Sequence, residues 1–315
     1  NLDGAMPLQK KLVEKYKPEI LDLKALGPAL RMDCWFHQFD KFEQELTKQT
    51  GSDHDVVKPG EPLITFYGSN DYHHLTLGIF RRIRTKVNLI MFDNHPDYIQ
   101  YYPTGLHCGC WLAHAASFPN VNRCWHLGGY SGEFEDQTLR WCTPWSMMKD
   151  NKMMVHAAQE DFKGMRWNEV DQGPLRKNRL LLVTEKRVRE LFEPYKEELA
   201  KYPLYITLDK DCMERRVALQ NWNSGVLLRD EVAIIIKVLI EMSRGRLYAM
   251  DVTGDFSPVK IKGVYRHFLH MSQHCHSENN IDPKKATVVN ELTNRFLLRE
   301  ISKTLGIANL QDPQP

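Results

Sequence analysis

Several absences narrow the reading of this chain. No apolar run approaches the roughly 20 residues that a membrane-spanning helix needs; the longest, AIIIKVLIEM at 233–242, is interrupted by Lys237. The opening NLDGAMPLQKK also lacks an apolar signal core. Cysteine is scarce, with seven in 315 residues. An odd number so thinly spread argues against a disulfide framework and for reduced thiols, so a cytoplasmic location is expected. Neither sign of charge is in excess: 42 basic residues face 40 acidic ones, a formal net charge of +2. That leaves no electrostatic footprint for a polyanion, and neither nucleic acid nor a membrane is expected as partner. Internal repeats and low-complexity tracts are missing. HLGGYSG at 126–132 has glycines but no lysine and no Gly-x-Gly-x-x-Gly spacing, which excludes a phosphate loop, and no Gly-x-Ser-x-Gly elbow supports a serine nucleophile.

What remains is an ordinary globular composition, 42% hydrophobic and 26% charged, sufficient for a sizeable core. Short apolar runs alternate with longer amphipathic ones. Strands are predicted at 62–68, 86–93, 122–129, 152–157, 179–184, 204–209 and 246–253. Helices are predicted near 74–84, 107–117, 185–200, 229–243 and 286–304. The segment Leu30–Gly51 reads as a helix, alone or with a turn, and 256–284 as a long irregular connection. Near-continuous apolar strands separated by amphipathic helices predict an α/β fold, with a mostly parallel central sheet covered on both faces in three α/β/α layers, in one domain.

In such a sheet, ligands bind beyond the carboxyl ends of the strands. Those ends carry His73 and His74, then Asp93, His95 and Asp97 in FDNHPDY, then Asp209 and Asp211 in TLDKDCME, and Asp251 and Asp255 in AMDVTGDF. Four carboxylates, Asp93, Asp97, Asp209 and Asp211, cannot all stay ionised side by side without a counter-charge. Two divalent cations would neutralise them, with two neutral imidazoles completing the coordination. Oxygen-rich ligation without thiolate favours manganese over zinc. Two such ions can share a water, lower its pKa and present it to an electrophile.

The series YGSNDYHHLTLG, FDNHPDY and TLDKDCME resembles, in order and spacing, the three metal-binding signatures of the ureohydrolase family, whose members include arginase, agmatinase and formimidoylglutamase. The resemblance spans about residues 62–258, with 1–61 and 259–315 as additions. It implies a binuclear hydrolase in which metal-bridging hydroxide attacks the carbon of a guanidino or amidine compound, a small-molecule substrate, and breaks a C–N bond. Asp93, His95, Asp97, Asp209 and Asp211 match family ligands, Asp97 and Asp209 being the implied bridges. Counting back five residues from Gly78 gives His73 as the remaining ligand, and His74 if the register slips. The resemblance further implies His107 as proton shuttle, suited by an imidazole pKa near 6.5, and Asp255, or Gly254 on the other register, where the family binds guanidinium. Oligomers are usual in the family, so a homo-oligomer is implied.

The resemblance departs from the family at Ser69, Asn70, Asp71 and Tyr72, which stand where the first signature has Gly-Gly-Asp-His, and in the short interval from Asp97 to His107. These departures leave arginine specificity unsupported. Two other readings keep the fold: a single-zinc amide hydrolase of the histone-deacetylase kind, which YHHL at 72–75 superficially resembles, and a non-catalytic binding protein. HCGCWLAH at 107–114 and HMSQHCH at 270–276 also bring His and Cys together, but without paired Cys-x-x-Cys spacing.

Overall fold

The structure is a computed structural model that describes residues 1–51, 57, 61–100, 105–135, 141–159, 173–176, 180–273 and 281–307. Its centre is a six-stranded, wholly parallel sheet of β2 (Leu63–Gly68), β3 (Val87–Phe92), β5 (Val121–Gly129), β6 (Met153–Ala157), β7 (Leu204–Asp209) and β8 (Leu247–Thr253), in the order β2-β8-β7-β3-β5-β6. A separate antiparallel ribbon joins β1 (Asp33–Trp35) to β4 (Gly105–His107).

The sequences of the central strands explain their place. Every residue of β3, VNLIMF, and of β7, LYITLD, is buried, as expected when helices cover both faces of a parallel sheet. Successive side chains point to opposite faces. Leu89 and Met91 therefore join one core with Phe39, Phe42 and Leu112, while Ile90 and Phe92 join a second core with Val232, Ile235 and Leu297. Helices α2 (Phe36–Thr50), α3 (Thr76–Phe80) and α4 (Trp111–Ala116) contribute to the first core. Helices α5 (Glu185–Phe192), α6 (Arg229–Met242) and α8 (Pro283–Leu305) contribute to the second. Helix α1 (Lys10–Tyr16) contacts α8, and α7 (Val264–Gln273) follows the loop after β8. No helix among the described residues is long and apolar enough to cross a membrane.

Three expectations are corrected. The stretch expected as a strand at 179–184 is irregular over its described residues and has three exposed leucines, Leu180 being 92% accessible. It leads into α5, whose first turn is capped by the Thr184 hydroxyl accepting from Arg187 N–H. The helix expected from residue 107 begins only at Trp111, because His107 pairs with Asp33 across the β1–β4 ribbon, a partner distant in sequence. The connection at 256–284 contains the ten-residue α7, and His274, Cys275 and His276 lie outside the described residues.

Strand order reverses direction at β3. From the β2 edge the chain crosses to β3, runs outward through β5 and β6, then returns to insert β7 and β8 between β3 and β2. The crevice at β3 and β7 is therefore a topological switch point, where open α/β sheets bind ligands.

Beside it, the N-terminus of α6 is fixed by a buried ion pair. Arg176 Nη1 donates to both carboxylate oxygens of Glu231 at 3.1 Å, and those oxygens also accept from Val183 N–H and Leu228 N–H, each at 2.8 Å. Removing one member of a buried pair strands the other's charge. Arg176→Met is expected to lower unfolding free energy by about 3–5 kcal/mol, seen as a lower urea midpoint with an unchanged slope.

Candidate metal centre

At the switch point, β3 ends in Asp93, His95 and Asp97, and β7 ends in Asp209 and Asp211. The 3-10 turn Asn70–Leu75 after β2 brings in His73. The structure draws five of these six side chains into two overlapping groups, with Asp97 alongside the first. One holds His73, Asp93 and Asp209, the other Asp93, His95 and Asp211. His73 Nδ1 stands 3.0 Å from Asp93 Oδ2, 3.0 Å from Asp97 Oδ2 and 3.6 Å from Asp209 Oδ2. His95 Nδ1 stands 2.9 Å from Asp211 Oδ2 and 3.6 Å from Asp93 Oδ1. The carboxylate common to both groups is Asp93, whereas the resemblance had implied Asp97 beside Asp209 as the bridges. All six residues are buried, with accessibility rising from 1% at His73 to 8% at His95.

The electrostatics show a site short of positive charge. Burial pushes the Asp97, Asp209 and Asp211 carboxyls up, and repulsion from neighbouring carboxylates, Asp93 acting on all three, pushes them further. Burial opposes ionisation of Asp93 too, but the adjacent His73 and His95 imidazoles outweigh it and hold that carboxyl below its usual range. The imidazoles move the other way. Against the effect of burial, Asp93 and Asp97 raise His73, and Asp211 raises His95, well above the ordinary histidine range.

A metal can be tested against the hydrogen bonds. The Thr207 hydroxyl donates to Asp251 Oδ1 at 2.7 Å, so its oxygen is left to accept from His73 Nε2 at 2.8 Å. That assignment leaves His73 Nδ1 as the nitrogen facing the carboxylates. Neither Nδ1 nor Asp93 Oδ2 makes a hydrogen bond of acceptable geometry, although both are buried. At contact distance these two atoms need positive charge between them, a proton or a metal ion, and the donor set of imidazole and carboxylate fits a divalent metal ion.

Of the neighbours that orient these groups, only Asp251 is among the strand-end residues picked out from sequence. Trp111 Nε1 donates to Asp97 Oδ2 at 2.9 Å, and the backbone N–H of Asn94 donates to Asp211 Oδ1 at 3.0 Å. Trp222 sets its ring edge-on to His95, centroids 5.4 Å apart, and donates Nε1–H to Asp71 Oδ1 at 2.7 Å. Thr207 and Asp251 face each other across β7 and β8. Their signal in the sequence is a polar residue inside an otherwise apolar buried strand.

Other predicted residues fall elsewhere. His74 belongs to neither group; its ring nitrogens are buried without hydrogen-bond partners, and burial, helped by His107, lowers it to about 3. His107 ends β4, and its Nδ1 accepts from Gly109 N–H at 2.9 Å. Asp255 is not an open anchor for a cation: its carboxylate accepts from Lys210 Nζ and Gln9 Nε2, each at 2.7 Å, and from Asn294. Cys108 and Cys110 enter no candidate metal group among the described residues, and Cys110 Sγ instead accepts from His107 N–H.

Comparisons with known proteins bear on the family and the fold. A family model described as the arginase family matches residues 32–253. A Thermotoga maritima protein, described only as uncharacterized, is 22% identical over 207 residues, covering 65% of this chain and 62% of the relative, so the chain spans less than two thirds of that relative's length. Among solved structures, the arginase of Helicobacter pylori is similar with a TM-score of 0.50 at 13% identity, covering 96% of this chain and 94% of that one. The agmatine ureohydrolase of Thermoplasma volcanium gives 0.45 at 16% identity over 85% and 68%. At such identities the structural likeness speaks to the fold. The family match is the broader finding, since it takes in most of the chain together with the strand ends at Asp93 and Asp209, and by it this chain belongs to the arginase family.

Proposed function

We propose that this chain is a metal-dependent hydrolase that cleaves a C–N bond of a small guanidino or amidine compound. The observation that carries the reading is the pair of buried His/Asp groups sharing Asp93, with His73 Nδ1 3.0 Å from Asp93 Oδ2 and neither atom in a hydrogen bond. Two adjoining groups favour two cations over the single zinc of a deacetylase-like site. His73, Asp93, Asp97 and Asp209 would hold one ion, and Asp93, His95 and Asp211 the other. Divalent ions, with manganese favoured by the oxygen-rich set, would neutralise the carboxylates, polarise the substrate and acidify a water.

The chain's own residues have distinct tasks in this scheme. The Thr207–Asp251 relay holds His73 by Nε2 and keeps Nδ1 turned to the carboxylates. Trp111 fixes the rotation of Asp97, as the Asn94 N–H does for Asp211. Breaking the C–N bond requires a proton on the departing nitrogen. His107 is the residue proposed to deliver it, as an imidazolium that returns to the neutral ring when it gives up the proton.

Elemental analysis after incubation with manganese and desalting tests the reading. The wild-type chain is expected to retain about two ions. Asp209→Asn is expected to retain about one or fewer and to lose nearly all release of urea or formamide from a panel of guanidino and formimino compounds. One zinc per chain in the wild type, or no metal, would sink the proposal.

Orientation of His73 gives a second expectation. Thr207→Val removes the Nε2 partner while keeping the volume, and manganese affinity measured by equilibrium dialysis should fall about 10–100-fold. Unchanged affinity would deny the relay its role.

A further inference from the structure

Lys210 stands between Asp209 and Asp211, yet its side chain takes no part in the carboxylate cluster. It is wholly buried. Its Nζ donates to Asp255 Oδ1 at 2.7 Å and to Asn294 Oδ1 at 3.0 Å. Gln9 completes the cage, donating to Asp255 Oδ1 at 2.7 Å and accepting from Asn294 Nδ2 at 2.9 Å. Four side chains, from just before α1, the end of β7, the loop after β8 and the middle of α8, thus meet with accessibilities of 1% or less.

We infer that the Lys210–Asp255 ion pair, latched by Asn294 and Gln9, is a positioning device that sets the two carboxylates of the Asp209–Asp211 turn for metal binding. The inference rests on the reading of those carboxylates as ligands. Their mutual placement is one tight turn, closed by Asp211 N–H donating to Asp209 Oδ1 at 2.9 Å. The residue at the middle of that turn is anchored on the far side. Rotating the turn would pull a buried ammonium from its carboxylate and leave both charges stranded. Gly254 closes the other flank. With φ at +90°, it packs so near that a Cβ would lie 2.8 Å from both Asp209 Oδ1 and Lys210 N. Gln9, Asp255 and Asn294 all lie outside the family-matched residues 32–253, so the latch is built by segments flanking the matched core. A second tie runs parallel to it, Glu291 Oε1 of α8 accepting from Leu12 N–H of α1 at 3.1 Å.

Asn294→Ala opens the latch without stranding a charge, and Leu297→Ala on the same helix deletes a buried contact of the second core without touching the latch. Both variants and the wild type are compared by manganese equilibrium dialysis well below their melting temperatures, with circular dichroism to establish folding. Asn294→Ala is expected to weaken manganese binding about 10-fold while Leu297→Ala leaves it unchanged. If Asn294→Ala does not fold, Gln9→Ala serves in its place with the same expectation. Wild-type affinity in a folded latch variant, or equal losses in Asn294→Ala and Leu297→Ala, would overturn the positioning role while leaving the metal centre standing. No manganese bound by the wild type would instead remove the metal reading and this inference together.

Discussion

The rest of the site is organised around the confinement of four carboxylates and only two imidazoles in a crevice that water barely enters. Ionised carboxylates in a low-dielectric interior repel strongly and lose their hydration, so the arrangement persists only if positive charge is supplied. A neighbouring acid shows the contrast. Asp71, in the same turn as His73, has its own protein cation, Arg31, with Nε 2.6 Å from Oδ2. Among the described residues, the short ion contacts of the cluster acids are with His73 and His95 and with no arginine or lysine. Lys210, the nearest ammonium in sequence, is turned to Asp255. The fold thus sorts its acids into those balanced by an internal cation and those left short of positive charge.

Directional control comes from residues one step further out. A carboxylate can rotate and an imidazole can flip, so a metal site depends on groups that restrict them. Here a buried threonine, a tryptophan N–H and a backbone amide do so, and each is supplied by an element whose position is set by the sheet or by the helices on it. The same sheet explains why strand ends distant in sequence converge: β3 and β7 are adjacent in space, with 111 residues between Phe92 and Leu204.

Much of the fold was legible because its signal is local. The apolar runs at 87–92 and 204–209 have the length and continuity of strands buried on both faces, and the carboxylates at their ends follow from simple spacing. Features that failed to show were those set by distant partners. His107 reads as the start of a helix until Asp33 is seen to pair with it. The leucines at 180–182 read as a strand although they are exposed and irregular in the structure. Asp255 reads as a substrate anchor because nothing in AMDVTGDF reveals that Lys210, Gln9 and Asn294 enclose it.

The sequence by itself determined the alternation of strand and helix, the three carboxylate- and histidine-bearing strand ends and the charge deficit they imply, because these depend on residue type and short spacing. Only the tertiary structure decided that His73 rather than His74 joins the cluster, that Asp93 is the shared carboxylate, and that Asp255 is an internal counter-ion. Those outcomes depend on which way a side chain turns and on what stands opposite it. Both are fixed by packing between segments tens to hundreds of residues apart, a relation that no local pattern encodes.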